Sequence, residues 1–369
     1  MSLPEYLAGC LGLALGAAAF VYIGMRLCRL LVPGWRGPVA WTGIAVCTTV
    51  TALVAAELLG SFGLYWGWVF LALAVLAALA LWRWLPESGE EGGVELVHTP
   101  ASAWMTWIGL GVAAVAIAVF AVGVRVKLGT GMTGFDSTWY HGPFAAGFAD
   151  SGNTFQLHQL APQFLTWFYP QNSELIHSMG MLAFGNDLLS PLINLGWMVA
   201  CLLAAWCIGR PYGGAPISLA GVAIVLASTA MADQSGEARN DIVGTFFILA
   251  ALAVMINAAA GGRRLPTGPL VLTMLAAGLA AGTKVNFIPA ALAIAAGAIV
   301  LSPKASRLKA SAIAAVALIL GGGYWYLRNL THSGNPLPWI NNIGPVSLPG
   351  PSQDVGGRDA GSVWGYLTD

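Results

Sequence analysis

Asp136, His141 and Asp150 punctuate GFDSTWYHGPFAAGFADSG, residues 134–152, a stretch that is otherwise aromatic, small or hydroxylated. A carboxylate such as Asp136 at the edge of an apolar segment can take a proton from an acceptor hydroxyl; Asp there also suits the cap of a helix over 137–150. Glu174 opens SELIHSMGMLAFGN, either as a first-turn acid favoured by the helix dipole or as part of the same chemistry. Lys284 interrupts the apolar run AAGLAAGTKVNFIPAAL. An ionisable group flanked by membrane segments is expensive and marks function by default, with a snorkelling anchor as the plain alternative. ADQSGEARNDIVG carries Asp233, Glu237, Arg239 and Asp241, a mixed-sign loop of the kind that is usually only solvated. Arg grips phosphate bidentately and Lys acts as a point charge, so Arg239, Lys284 and Arg328 beside these acids suit a lipid-phosphate substrate.

These residues must be held by a membrane protein. The chain has 369 residues, 57% of them hydrophobic and only 9% charged, against about 25% charged for a soluble domain. Its 16 basic and 16 acidic residues cancel, so no global field points to nucleic acid. The cysteines Cys10, Cys28, Cys47, Cys201 and Cys207 all fall in apolar segments and read as small hydrophobes. A crossing helix needs about 20 apolar residues. Segments 6–28, 39–59, 64–85, 104–124, 188–208, 216–233, 242–260, 268–283, 287–302 and 311–327 qualify as spans, the first retained rather than cleaved as a signal peptide. The fold class expected is an all-α polytopic membrane protein with about ten transmembrane helices.

The stretch 173–186 is too short to count among them. Leaving it out puts Arg26, Arg29, Arg36, Arg83, Arg210, Arg263, Arg264, Lys304, Arg307 and Lys309 on one side, which the positive-inside rule makes cytoplasmic. Arg125, Lys127, Arg239, Lys284, Arg328 and Arg358 then fall outside, with Asp136, Asp150, Glu174, Asp233, Glu237 and Asp241 and with His141, His158, His177 and His332. Glu87, Glu90, Glu91 and Glu95 make a solvated cytoplasmic linker. Between 125 and 172 nothing is long enough to span. Trp139, Phe144 and Phe148 at helical spacing predict an interfacial amphipathic helix, and FQLHQLAPQFLTWFYPQNSELIH a second one ending at Pro170.

Four stretches together resemble the GT-C superfamily of integral-membrane glycosyltransferases, of the dolichyl- and polyprenyl-phosphate-sugar-dependent, mannosyltransferase-like type. FDSTWYHGPFAAGFADSG is similar to its acid-bearing first outer loop. YPQNSELIHSMGMLAFGNDLLSPLINLGW is similar to its Y-P-x-x-x-E-L-L stretch, with Ile176 for the second Leu. AAGLAAGTKVNFIP resembles its G-x-x-x-G-x-K segment, and YWYLRNLTHSGNPLPW its W-Y-L-R-N…G-N-P segment. The resemblance implies inverting transfer from a polyprenyl-phosphate sugar to a hydroxyl of a lipid, glycan or protein acceptor, on the extracytoplasmic side of the cell inner or plasma membrane. It makes Asp136, His141 and Glu174 catalytic, gives Lys284, Arg328 and Arg239 to the donor phosphate, and lets Tyr140, Asp241 and Tyr169 line the acceptor or sugar. The resemblance places the core at 104–340 with its outer loop at 125–172; the chain departs from the family pattern in a three-span extension over 1–103 and in a shortened tail or outer loop over 341–369. No cofactor is required by any motif, although Asp136 with a second acid would offer hard oxygens to Mg2+ or Mn2+. The competing readings are a lipid-linked sugar transporter or flippase, which would show internal repeats and mid-membrane polar breaks, and a non-catalytic or incomplete paralogue.

Overall fold

The computed structural model describes residues 1–85, 96–160, 165–340, 342–343 and 345–350. The glutamates of the expected linker (Glu87, Glu90, Glu91, Glu95) and Arg358 lie outside the described residues. Each of the ten apolar segments forms a helix, because long runs without a ring constraint or an internal glycine turn satisfy their backbone only by coiling in an apolar setting. They are α1 (Leu3–Leu31), α2 (Gly37–Ser61), α3 (Gly67–Trp84) and α4 (Ala103–Thr130). After two short helices, α5 (Gly142–Ser151) and α6 (Asn172–Phe184), come α7 (Ser190–Gly209), α8 (Ala215–Leu226) and the single turn α9 (Thr229–Ala232). The series ends with α10 (Asp241–Ala259), α11 (Thr267–Thr283), α12 (Ile288–Leu301) and α13 (Arg307–Ser333). A two-stranded hairpin, β1 (Asn342–Ile343) with β2 (Val346–Ser347), follows.

Among the described residues, seven helices are long and apolar enough to cross a membrane. Of the ten segments expected to cross, three form shorter helices: α8 has 12 residues, α11 17 and α12 14. At 1.5 Å per residue these reach about 18–26 Å, short of a hydrocarbon core of about 30 Å. With 13 residues, α6 is no span either.

Contacts divide the helix ends into two groups. At one, Thr99 donates to the carbonyls of Arg210 and Pro211 (3.2 and 2.7 Å), Leu265 N donates to Leu301 O (3.0 Å), and Arg26 reaches the Leu85 carbonyl. At the other, Thr154 N donates to Gly60 O (3.1 Å), Lys127 meets Glu237 (2.6 Å), and His332 Nε2 lies 3.0 Å from the Phe155 carbonyl. Arg26, Arg210 and Lys304 belong to the first end or beside it; Asp136, Glu174, Asp241 and Lys284 gather at the second.

α11 is encased by protein from Leu272 to Thr283, every residue of that run being buried. Small residues permit this. A Cβ on Gly278 would lie 2.3 Å from Leu318 O, and one on Gly322 would lie 2.1 Å from Gly278 O, so α11 and α13 run backbone against backbone. The G-x-x-x-G-x-K pattern thus has a packing reason: its glycines seat α11 on α13, and Lys284 follows as the chain leaves the helix.

The loop 125–172 differs from expectation in two respects. Its first helix is not a surface-lying one: Phe144 and Phe148 are buried, the latter 5.8 Å from the Trp325 ring. Its second is missing among the described residues, where 155–160 is irregular and Thr166–Phe168 makes one tight turn. Arg328 explains the tight turn, as its guanidinium draws in main-chain carbonyls there.

Candidate functional site

The acid-bearing segment enters α5 through a widened turn, Ser137–His141, with π-type geometry. Such insertions rotate side chains out of normal helical register and recur at functional sites. Asp136 is already in helical conformation and makes no cap hydrogen bond. Its carboxylate turns instead to Arg239 Nη2 at 3.5 Å. The capping role expected for Asp136 is therefore not seen.

His141 and Glu174 form a buried pair, Nδ1 to Oε1, that joins the widened turn to the first turn of α6. Asn240 donates from Nδ2 towards the same Glu174 oxygen (3.4 Å) and to the Thr283 carbonyl (3.2 Å). Lys284, next along, pairs with Asp241 at 2.5 Å, and Gln234 donates to the second Asp241 oxygen at 3.0 Å. Three consecutive residues thus reach three different elements: Arg239 to Asp136, Asn240 to Glu174, Asp241 to Lys284. Tyr140 stands among them. Burial, followed by the nearby Asp136, Glu174, Tyr169 and Asp241, pushes its phenol well above the usual value. Tyr169 meets the Tyr140 ring edge-on, with centroids 6.2 Å apart.

The mixed-sign loop 233–241 is not merely solvated. Glu237 is buried and accepts from the Thr133 and Gly134 amides (3.1 and 2.8 Å), while Ser137 Oγ accepts from Ala238 N (3.1 Å). Burial would raise the Glu237 carboxyl, yet the hydrogen bonds from Lys127, Ser137, Thr133 and Gly134 outweigh it and hold it below the usual carboxylate range. From α7, Asn194 Nδ2 reaches the carbonyls of Gln234, Glu237 and Arg239 (3.2, 2.8 and 2.9 Å). Asn240, Gln234 and Asn194 escaped the sequence reading, and Glu237 was read there as solvated; five polar residues besides Arg239 and Asp241 packed into the short loop 233–241 were the available signal.

Arg328 is placed differently from Lys284. It is 1% exposed, with Nη1 on Gln171 Oε1 (2.9 Å), Nη2 on the Trp167 carbonyl and, at 3.5 Å, that of Tyr169, and its guanidinium 4.7 Å from the Trp325 ring centre. Only its Nε is without a partner, so the phosphate role expected for it would fall to one enclosed N–H. The side chains of Lys284 and Arg239 remain 30% and 21% exposed, and that of Asp136 35%. Behind the His141–Glu174 pair, burial and then the neighbouring His141 hold His177 down to about 3, a neutral imidazole. Among the described residues no three His, Cys, Asp or Glu side chains converge as a metal cage would require, and Asp136 and Asp241 each face a cation. The residues do not fit a divalent ion.

The loop 233–241 and Lys284 fall in a stretch that has known relatives. Residues 175–322 match the family model of the dolichyl-phosphate-mannose-protein mannosyltransferases. The match takes in Arg239, Asn240, Asp241 and Lys284, and it begins one residue after Glu174. Asp136, His141 and Arg328 lie beyond it. No curated protein and no solved structure matches the chain. Over those residues the chain is similar to the mannosyltransferase family, and its apolar helices are those of an integral-membrane protein.

Proposed function

We propose that the chain transfers a sugar from a polyprenyl-phosphate-linked donor to a hydroxyl acceptor at the outer membrane face, with inversion. The observation that carries this reading is the convergence of Arg239, Asn240 and Asp241 on Asp136, Glu174 and Lys284, which sets two partly exposed cations beside a partly exposed carboxylate. The basic residues at the opposite end of the bundle support the outward orientation.

Asp136 would take the proton of the acceptor hydroxyl as its oxygen attacks the anomeric carbon. The bond from that carbon to the phosphate oxygen breaks, and the polyprenyl phosphate leaves with the bonding electrons. Lys284 and Arg239 would meet the charge growing on that phosphate. Lys284 now rests on Asp241 and Arg239 on both Asp136 and Asp233, and a phosphate would replace or share those partners through charge-assisted hydrogen bonds. The buried His141–Glu174 pair would position Tyr140 and the widened turn, and Tyr140, Tyr169 and Asp241 would line the sugar. Arg328 acts as a positioning residue that fixes 167–171.

Asp136→Asn tests the reading, with labelled sugar transfer and donor binding measured separately. Positioned general base help is worth about 10²–10⁴-fold, so transfer should fall by that factor while donor binding persists. Near-normal turnover would strip Asp136 of the role.

A further inference from the structure

Two cavities share a wall, and the first is lined in part by α5. The first, of about 720 Å³, is the more polar of the two and is open at the end of the bundle that carries Asp136. Its lining includes Thr138, Asp150, Asn186 and Asp187 and two indoles, Trp66 and Trp68. The second, of about 560 Å³, is an apolar groove between α1, α3 and α6, floored by Gly12 and Gly16. Gly67, Trp68 and Leu182 belong to both, so the polar cavity continues into the groove.

Neither lining contains a Lys or an Arg; the charged groups are Asp150 and Asp187 in the polar part and Glu5 at the groove. An acid-only lining repels phosphate headgroups, whereas carboxylates and a carboxamide accept and donate to hydroxyls. Indoles add flat apolar faces on which the C–H side of a sugar ring can lie. The platform is already in place. The backbone of Tyr65 donates to Gly152 O (3.0 Å), and Trp66 lies so close to Gly152 that a Cβ there would fall 2.7 Å from the indole. Gly152 has φ +63, which ends α5 at that point and leaves the indole its seat. Trp68, at the start of α3, keeps its ring 77% exposed and belongs to both cavities.

We infer that α1, α3 and α6 build a bipartite site for a lipid with an uncharged saccharide headgroup, its hydrocarbon chain in the groove and its sugar between Trp66, Trp68 and the two aspartates. Resting on the transferase reading, this lipid is the acceptor. Ser137, Thr138 and Gly142 line the polar cavity, and Asp136 and His141 belong to the same turn, so one short segment separates the headgroup from the base.

The test uses the full chain in phosphatidylcholine nanodiscs holding a glucosyl diacylglycerol with a photoactivatable group in its acyl chain. Phosphatidylglycerol with the same label is the comparison. Gly12→Leu fills the groove without a clash, since nothing lies within 4 Å of a Cβ at that position. Trp68→Ala removes an exposed ring. Labelling of α1 and α3 should favour the glycolipid over phosphatidylglycerol at least tenfold, fall at least tenfold in Gly12→Leu, and lose its headgroup preference in Trp68→Ala. Equal labelling by both lipids would mean a groove filled by bulk lipid and would overturn the site. Saccharide-selective labelling in a chain that transfers no sugar would keep the site and sink the transferase reading. Undiminished transfer to the glycolipid in both variants would do the reverse.

Discussion

Lys284 at the end of α11 and Arg328 near the end of α13 carry the same charge at the same end of the bundle, yet they sit in opposite surroundings. Lys284 has one strong partner, a carboxylate, and part of its side chain is open. Arg328 is fully enclosed, and its partners are a carboxamide, two carbonyls and an indole face. A cation on a shared, half-open carboxylate can exchange it for a substrate anion. A cation spread over neutral main-chain acceptors cannot leave without unmaking the loop it holds. Arg suits the second setting because its planar fork binds several acceptors at once, and Lys suits the first because its single ammonium moves freely.

The contrast is sharpest in stability. Arg328→Met should strip the Trp167 and Tyr169 carbonyls and Gln171 of their donor, costing about 2–5 kcal/mol, and the variant should be lost as an aggregate in detergent gel filtration. A monodisperse Arg328→Met with normal melting would erase the difference between the two cations. Lys284→Ala should melt near the parent temperature, since Asp241 keeps Gln234. Its apparent donor affinity should weaken roughly tenfold, the loss of one charge-assisted hydrogen bond. An unchanged donor KM would return Lys284 to a surface anchor.

The smallest effect concerns His177, in the layer behind both. Its imidazole is held down to about 3 when folded, against 6.5 for the free group, so the unfolded chain binds the extra proton between those values. Stability from its burial is therefore complete above about 6.5 and is lost as pH falls through that window. Melting curves at pH 7.5 and pH 5 should show His177→Met losing less on acidification than the parent. Equal slopes would show that the imidazole carries no proton linkage.

How far the sequence foretold this contrast depends on the scale of the signal. The ten helices were legible because apolar run length is a local property, and so was the gathering of acids and histidines at one end. Which of two apolar runs would be encased was not, since α11 and α3 are both apolar while one is enclosed by protein and the other, apart from Ala74, is not buried. The glycine seam decides that, and it exists only once α13 is placed against α11. At the site, Asp136, His141, Glu174 and Lys284 stood out as charges out of place. The widened turn at Ser137–His141 has no residue signature, so the redirection of Asp136 from cap to ion pair was invisible. The loop 233–241 was misread for the same reason: a buried Glu237 and a solvated one are spelled alike. Arg328 was right in position and different in partner.

The three consecutive contacts of Arg239, Asn240 and Asp241 also bear on how this segment tolerates change in length. Exposed loops are the ordinary place for an inserted epitope or a lost residue, because little depends on their register. Here one residue added between Glu237 and Asp241 would shift each side chain by a position, setting the acid opposite the wrong partner and the amide opposite a cation. The segment behaves as a key with three teeth, whose spacing matters more than any one of them. A chain altered at a single tooth keeps two; a chain altered in length keeps none.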